Sequence, residues 1–203
     1  PFIVSHRGAN KEAPENTLRA FELAVSSGAF AVETDLRFTY DDQIVLHHDP
    51  TLERTTTGSG YLRDHTLTEL KKLQNLDPST EKPSDQTIPT LVELIEFTNA
   101  ETPLLLELKD PLFQDRRYAA QFVATLSDHG MVEQCAIISF QASHIATVKE
   151  IAPEVPCGLI TMTNPVPQKG AELLGPVFPL VYLNPLYVKW AHSWGGVVCP
   201  LDT

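Results

Sequence analysis

The sequence is poor in cysteine and basic residues, and it has no long apolar run. Its three cysteines, Cys135, Cys157 and Cys199, each lie in or beside a strand-like apolar stretch without metal-type spacing. They read as core thiols, and a disulfide framework is not expected. Lys and Arg number 15 against 26 Asp and Glu, a net charge of −11, and the cations form no cluster or stripe. Nucleic acid is therefore not an expected partner, because a polyphosphate chain needs a positive surface. No run is long enough to cross a bilayer and no basic-then-apolar leader precedes Pro1, so stable membrane insertion is not expected. The cytoplasm is the expected compartment, with export left open because the sequence does not begin with Met. The 203 residues suffice for one domain, here expected to span 1–203, but are short for a complete eight-fold α/β barrel.

What the sequence does have is charge at the ends of apolar runs. Phe2-Ile3-Val4-Ser5 leads into His6-Arg7-Gly8, Phe30 to Leu36 carries Glu33 and Asp35, and Ile44-Val45-Leu46 ends in His47-His48-Asp49. Leu104 to Leu108 repeats the design with Glu107 and Lys109. Side chains of a strand alternate between two faces. Phe30, Val32, Thr34, Leu36 and Phe38 then share a nearly apolar face, opposite Ala29, Ala31, Glu33, Asp35 and Arg37. Leu104, Leu106 and Leu108 likewise lie opposite Leu105, Glu107 and Lys109. One such strand equally describes an antiparallel sheet with its polar face in water. Four runs charged at the same end point to a parallel, TIM-type (β/α)8 barrel with its chemistry at the C-terminal mouth.

Pro14-Glu15-Asn16-Thr17 opens a helix that Gly28 ends, completing a βαβ unit. The link from Leu36 to Gln43 is too short for a parallel crossover and reads as a hairpin. With its turn centred on Asp41-Asp42, Asp35 is expected opposite His48. Residues 50–88 read as an insertion, with a loop at 55–60, a short helix from Leu67 to Leu76 and a polar, turn-rich stretch after it. Helices are expected from Pro89-Thr90 through Phe97, at 115–129 and at 143–151, with strands at 135–140 and 157–161. Five later prolines forbid long helices. Strands near 180–184 and 196–200 are expected to flank a short helix from Tyr187 to Ser193.

The charged residues suggest a particular chemistry. Glu33, Asp35 and Glu107 offer only oxygen, which suits a hard divalent cation, Mg²⁺ or Ca²⁺, better than zinc. His6 and His48 titrate near neutrality and can serve as general base and general acid. Arg7 can hold a phosphate oxygen by paired hydrogen bonds, and Lys109 can add a point charge. Such a set is equipment for displacement at a phosphodiester. Asp49 either hydrogen-bonds a catalytic histidine or caps the turn before Pro50. Glu15 and Asn16 can cap the first helix. His47 should point away from the site, and His65, His129, His144 and His192 are expected in solvent. Tyr61, Phe140 and Tyr187 are read as pocket, core or surface alike.

His6-Arg7-Gly8, Glu15-Asn16-Thr17, Glu33-Thr34-Asp35, Val45 to Asp49 and Glu107-Leu108-Lys109, in this order, closely resemble the glycerophosphodiester phosphodiesterase family. The resemblance spans most of residues 1 to 140 and fades afterwards, with weaker echoes at Ser139-Phe140 and Tyr182 to Pro185. It implies a barrel phosphodiesterase acting on a small glycerophosphodiester and releasing glycerol 3-phosphate and an alcohol with a divalent metal. It also implies Glu33, Asp35 and Glu107 as metal ligands and His6 and His48 as catalytic, with Glu15 and Asn16 supporting the site from behind. In some family accounts the glycerol hydroxyl attacks before water, giving a cyclic phosphate. Two departures stand out. With the hairpin strand outside the barrel, seven barrel strands remain, whereas the family continues through an eighth strand and a last helix. Leu201 also stands where relatives usually carry tryptophan. The expectation is an incomplete polypeptide, or closure by another segment. Two competing readings keep the barrel: a phospholipase D-like lyase on lysophospholipid or sphingomyelin, and an inactive binding barrel.

Overall fold

The alternation along the apolar runs becomes a parallel ladder in the structure, a computed structural model that describes residues 2–99 and 101–201. The strands are β1 (Val4–His6), β2 (Ala31–Phe38), β3 (Ile44–Leu46), β4 (Leu104–Leu108), β5 (Cys135–Ser139), β6 (Cys157–Thr161), β7 (Leu173–Pro176) and β8 (Val197–Val198). Seven of them follow one curled parallel path, β1-β2-β4-β5-β6-β7-β8, while β3 pairs antiparallel with β2 and lies off that path. Among the described residues β1 bonds only β2 and β8 only β7, so the barrel wall is open between them. The antiparallel, one-face-wet sheet is thereby ruled out for the charged strands β1, β2 and β4.

Helices fill the crossovers: α1 (Leu18–Ser26), α2 (Leu67–Leu70), α3 (Leu91–Thr98), α4 (Arg116–Asp128), α5 (Ala142–Ile151), α6 (Phe178–Leu183) and α7 (Tyr187–Ser193). Their starts are chemically marked. The Thr17 hydroxyl accepts from the Ala20 amide, Thr90 and Glu93 form a reciprocal capping box, and Asp115 accepts from the Arg117 amide. The two faces of the sheet separate as alternation requires. Val32, Leu36, Phe38, Leu104, Leu106 and Leu108 join Phe21, Leu94 and Phe122 in the layer between sheet and helices. Leu105 instead meets Ile138, Ile160 and Leu173 on the barrel interior. Fully burying one such leucine is worth roughly 1.5–3 kcal/mol, so this partition fixes which way Glu33, Asp35 and Glu107 face.

Four expectations need correction. The hairpin pairs Leu36 with Leu46 and Phe38 with Ile44, which sets Asp35 across from His47, whose amide donates to the Asp35 carbonyl at 2.9 Å. The turn is one residue tighter than a centre at Asp41-Asp42 requires, with Asp42 in the left-handed region at φ 58°. The helix expected from Leu67 to Leu76 ends at Leu70, because the Asn75 and Leu76 amides bond the carbonyls of Gln86 and Thr55 instead. The segment at 180–184 is helical through Leu183 in α6, and the strand lies earlier, at Leu173–Pro176. Pro179 falls in the first helical turn, where a missing amide hydrogen costs nothing, and a four-residue apolar run cannot itself distinguish helix from strand. Finally, His144 is buried, with Nδ1 3.1 Å from the Ser139 hydroxyl.

Residues 50–88 bring Leu52, Leu62, Leu70 and Ile88 together against Val45 of β3.

Candidate active site

Strand register assembles the acidic cluster. In the parallel pair β2–β4, Asp35 is the direct partner of Glu107, and in β1–β2, His6 is the partner of Glu33. Glu33 and Asp35 are two residues apart and so face the same side. Each of Glu33, Asp35 and Glu107 is buried, and one carboxylate oxygen from each lies within 4.8 Å of the others. Glu33 Oε1, Asp35 Oδ1 and Glu107 Oε1 have no hydrogen-bond partner. Buried anionic oxygens left without donors are costly. An all-carboxylate set at this spacing fits a hard divalent cation, whose oxygen ligands sit at about 2.0–2.6 Å.

The fields around the three carboxylates differ. Burial pushes Glu33 well above the usual carboxylate range, with Asp35 and Glu107 adding repulsion. Burial likewise raises Glu107, to about 7, with Asp35 adding to it and Lys109 only partly offsetting it. Burial also opposes ionisation of Asp35, but Arg7, Lys109, His48 and Asn16 together outweigh it and hold that carboxyl below its ordinary value. Arg7 Nε lies 3.1 Å from Asp35 Oδ2, and Asn16 Nδ2 donates to the same oxygen at 2.9 Å. Lys109 Nζ is 2.6 Å from Glu107 Oε1 and 3.5 Å from Asp35 Oδ1, so one ammonium pairs with both carboxylates. It also stands 5.3 Å from the centre of the Phe140 ring.

Two residues here hold left-handed backbone: Arg7 and Asn16, both at φ 57°. That conformation costs a non-glycine residue roughly 1–2 kcal/mol, and local bonds hold it in place. The Arg7 amide donates to both the carbonyl and Oε2 of Glu33, at 3.1 and 3.0 Å. Asn16 Oδ1 accepts from the Thr34 hydroxyl at 2.7 Å. The next residue, Gly8, approaches α1 so closely that a Cβ there would come within 2.7 Å of the Ala20 backbone.

The imidazoles flank this cluster. Burial lowers the His6 pKa, and Arg7 lowers it further while Asp35 and Glu15 oppose. Burial also lowers His48, against the pull of Asp35 and Asp49. His6 is the register partner of Glu33 on β1, and His48 follows β3, which pairs with β2. His48 Nδ1 is 2.6 Å from Asp49 Oδ1. Burial would raise Asp49, yet Arg54 and His48 prevail and hold it at about 2. At neutral pH Asp49 is therefore a pure acceptor, so His48 Nδ1 carries the hydrogen in that bond.

Glu15 Oε1 accepts from Arg7 Nη1 at 3.1 Å. His47 is buried, its Nε2 donating to the Thr51 carbonyl at 3.0 Å. Tyr187 is fully buried in a small cluster with Leu174 and Ala191, while Tyr61 is exposed. Of the remaining histidines, His192 is exposed as expected, while His65 and His129 are half-buried. Sequence reasoning passed over two cations. Arg37, on the charged face of β2, donates from Nε and Nη2 to the His48 carbonyl at 2.9 and 2.7 Å. Arg54 bonds Glu15 and Asp49. The alternation already placed Arg37 on the site's face of β2, whereas nothing local marks Arg54.

A curled parallel α/β barrel with a carboxylate cluster and two imidazoles at its C-terminal rim is the architecture of a phosphodiesterase-type enzyme barrel. Residues 6–194 match the model of the glycerophosphoryl diester phosphodiesterase family, and the chain belongs to that family. It is 34% identical over 160 residues, 78% of its length, to a glycerophosphodiester phosphodiesterase of Caldanaerobacter subterraneus subsp. tengcongensis, and spans 66% of that relative. A probable glycerophosphodiester phosphodiesterase 1 of Mycobacterium tuberculosis is 30% identical, with 98% of this chain and 80% of the relative covered. The chain also superposes, with a TM-score of 0.87 and 28% identity, on an Oleispira antarctica phosphodiesterase solved with its product sn-glycerol-3-phosphate, covering 100% of this chain and 85% of that one. No helix among the described residues is long and apolar enough to cross a membrane.

Proposed function

We propose that the chain, read as one phosphodiesterase unit with 50–88 inserted in it, hydrolyses glycerophosphodiesters to glycerol 3-phosphate and an alcohol. The observation that carries this is the trio of buried carboxylates Glu33, Asp35 and Glu107, one oxygen of each within 4.8 Å of the others, beside Arg7, Lys109 and two imidazoles. The product named for the Oleispira antarctica neighbour fits the same chemistry. Glu33, Asp35 and Glu107 would hold Mg²⁺ or Ca²⁺, which when bound supplies Lewis-acid stabilisation of charge on the phosphoryl oxygens.

The chain's own groups do the rest. Arg7 and Lys109 bind and orient the phosphodiester, countering the repulsion that a net charge of −11 presents to an anion. One imidazole removes a proton from the attacking oxygen, water or the glycerol hydroxyl, and the other gives a proton to the departing alcohol oxygen. Where the hydroxyl attacks, water then opens the cyclic phosphate to glycerol 3-phosphate. Asp49 keeps His48 in the tautomer with Nε2 available. Glu15 and Asn16 hold Arg7 and Asp35 from behind.

The test is an assay of EDTA-treated protein on glycerophosphocholine, glycerophosphoethanolamine and a lysolipid, each metal being restored in turn and products followed by phosphorus NMR. Metal-dependent appearance of glycerol 3-phosphate is expected. A persistent cyclic phosphate would replace the hydrolase with the lyase, and no turnover with any metal would leave a binding barrel.

A further inference from the structure

Arg54 joins two arms of the site that the sequence brings from different places. Its Nη2 and Nη1 donate to Glu15 Oε1 and Oε2 at 2.7 and 3.0 Å, and its Nε contacts Asp49 Oδ2. Glu15 in turn holds Arg7, and Asp49 holds His48 Nδ1. We propose that Arg54 is a positioning residue, a guanidinium bridge that fixes His48 and Arg7 relative to each other through Asp49 and Glu15. The proposal rests on the phosphodiesterase reading and assigns a role to a side chain outside the carboxylate cluster.

Three features support it. The contact to Glu15 is a paired one, two nitrogens on two oxygens, which a guanidinium makes and an ammonium cannot. Arg54 bonds the second oxygen of Asp49, leaving Oδ1 for His48, so both acceptors of that carboxylate are committed. Without the cation, Glu15 and Asp49 would lose the charge they share, and each could turn away to water. The Arg54 side chain is 49% exposed, so the fold does not depend on burying it. An anchor for residues 50–88 would use the same ion pairs but would not set the geometry of His48.

The experiment compares wild type, Arg54→Ala and Arg54→Lys with Mg²⁺ on glycerophosphocholine, with nitrogen-15 NMR of His48 and thermal unfolding alongside. The expected result is a fall in kcat of about 10- to 100-fold for both variants, a smaller change in KM and melting close to wild type. Millimolar guanidinium should restore part of the activity of Arg54→Ala, and the NMR should show His48 losing its preference for hydrogen on Nδ1. If Arg54→Ala unfolds, Arg54→Lys decides by the same readouts. An unchanged kcat, or an unchanged His48 tautomer with loss of melting temperature only, overturns the proposal. If wild type itself fails to turn over substrate, the phosphodiesterase reading fails, while the His48 tautomer still judges Arg54.

Discussion

His6 ends β1, Glu107 and Lys109 flank the end of β4, and Asp35 stands beside Glu107 on β2, whereas β6, β7 and β8 end in Thr161, Pro176 and Val198. Both stretches share the parallel ladder, and both turn apolar side chains into the barrel, Leu105 on one side and Ile160 with Leu173 on the other. The difference lies at the rim. On the first side, three buried carboxylates stand against the cations Arg7 and Lys109. On the second, Thr161 Oγ1 accepts from the amides of Thr163 and Asn164 and does no more than shape a turn. Among the described residues the buried carboxylate cluster thus lies on one arc of the mouth.

Substitution of either histidine on the charged arc should break the contrast most completely. His6→Ala and His48→Ala are each expected to lower kcat by about 10²- to 10⁴-fold, because each removes a proton-transfer group. Near-normal turnover by either, with circular dichroism unchanged, would reject two-imidazole catalysis. A smaller effect is expected for Arg7→Lys, on the order of tenfold in kcat/KM, since an ammonium cannot reproduce the guanidinium contacts to Glu15 and Asp35 while meeting a phosphate.

The same contrast has a pH signature. Glu107 ionises at about 7 in the fold against an ordinary 4.5, so the cation-free folded protein holds a proton that the unfolded chain has released. Stability carried by this group therefore declines as pH rises from 4.5 through 7. Melting in EDTA should show that decline, and Mg²⁺ or Ca²⁺ should remove it; a cation-independent profile would count against the site. The smallest effect is expected on the other arc. Thr161→Ala should leave kcat within about twofold of wild type and cost on the order of 1 kcal/mol in a denaturant titration, for its turn hydrogen bonds.

This contrast also explains what could be read in the sequence. The charged arc was legible because period-two alternation places Glu33, Asp35 and Glu107 on one face whatever the helices do. His48 reaches the centre even though the hairpin pairs Asp35 with His47, because His48 lies beyond the end of β3, where Arg37 grips its carbonyl and Asp49 its ring. That register hinged on one residue in the turn, which alternation does not determine. The uncharged arc was misread at 173–184, where Gly175-Pro176 hid a strand and Leu180 to Leu183 suits strand and helix alike. Arg54 was invisible for another reason: its partners Glu15 and Asp49 are 39 and 5 residues away, and only the fold brings them together.

The central claim is that Glu33, Asp35 and Glu107 share one cation. Isothermal titration of EDTA-stripped protein with Mg²⁺ and Ca²⁺, wild type against Glu107→Ala, tests it most directly. The account predicts saturable binding by wild type that is lost or strongly weakened in the variant. Equal binding by the two proteins would contradict it.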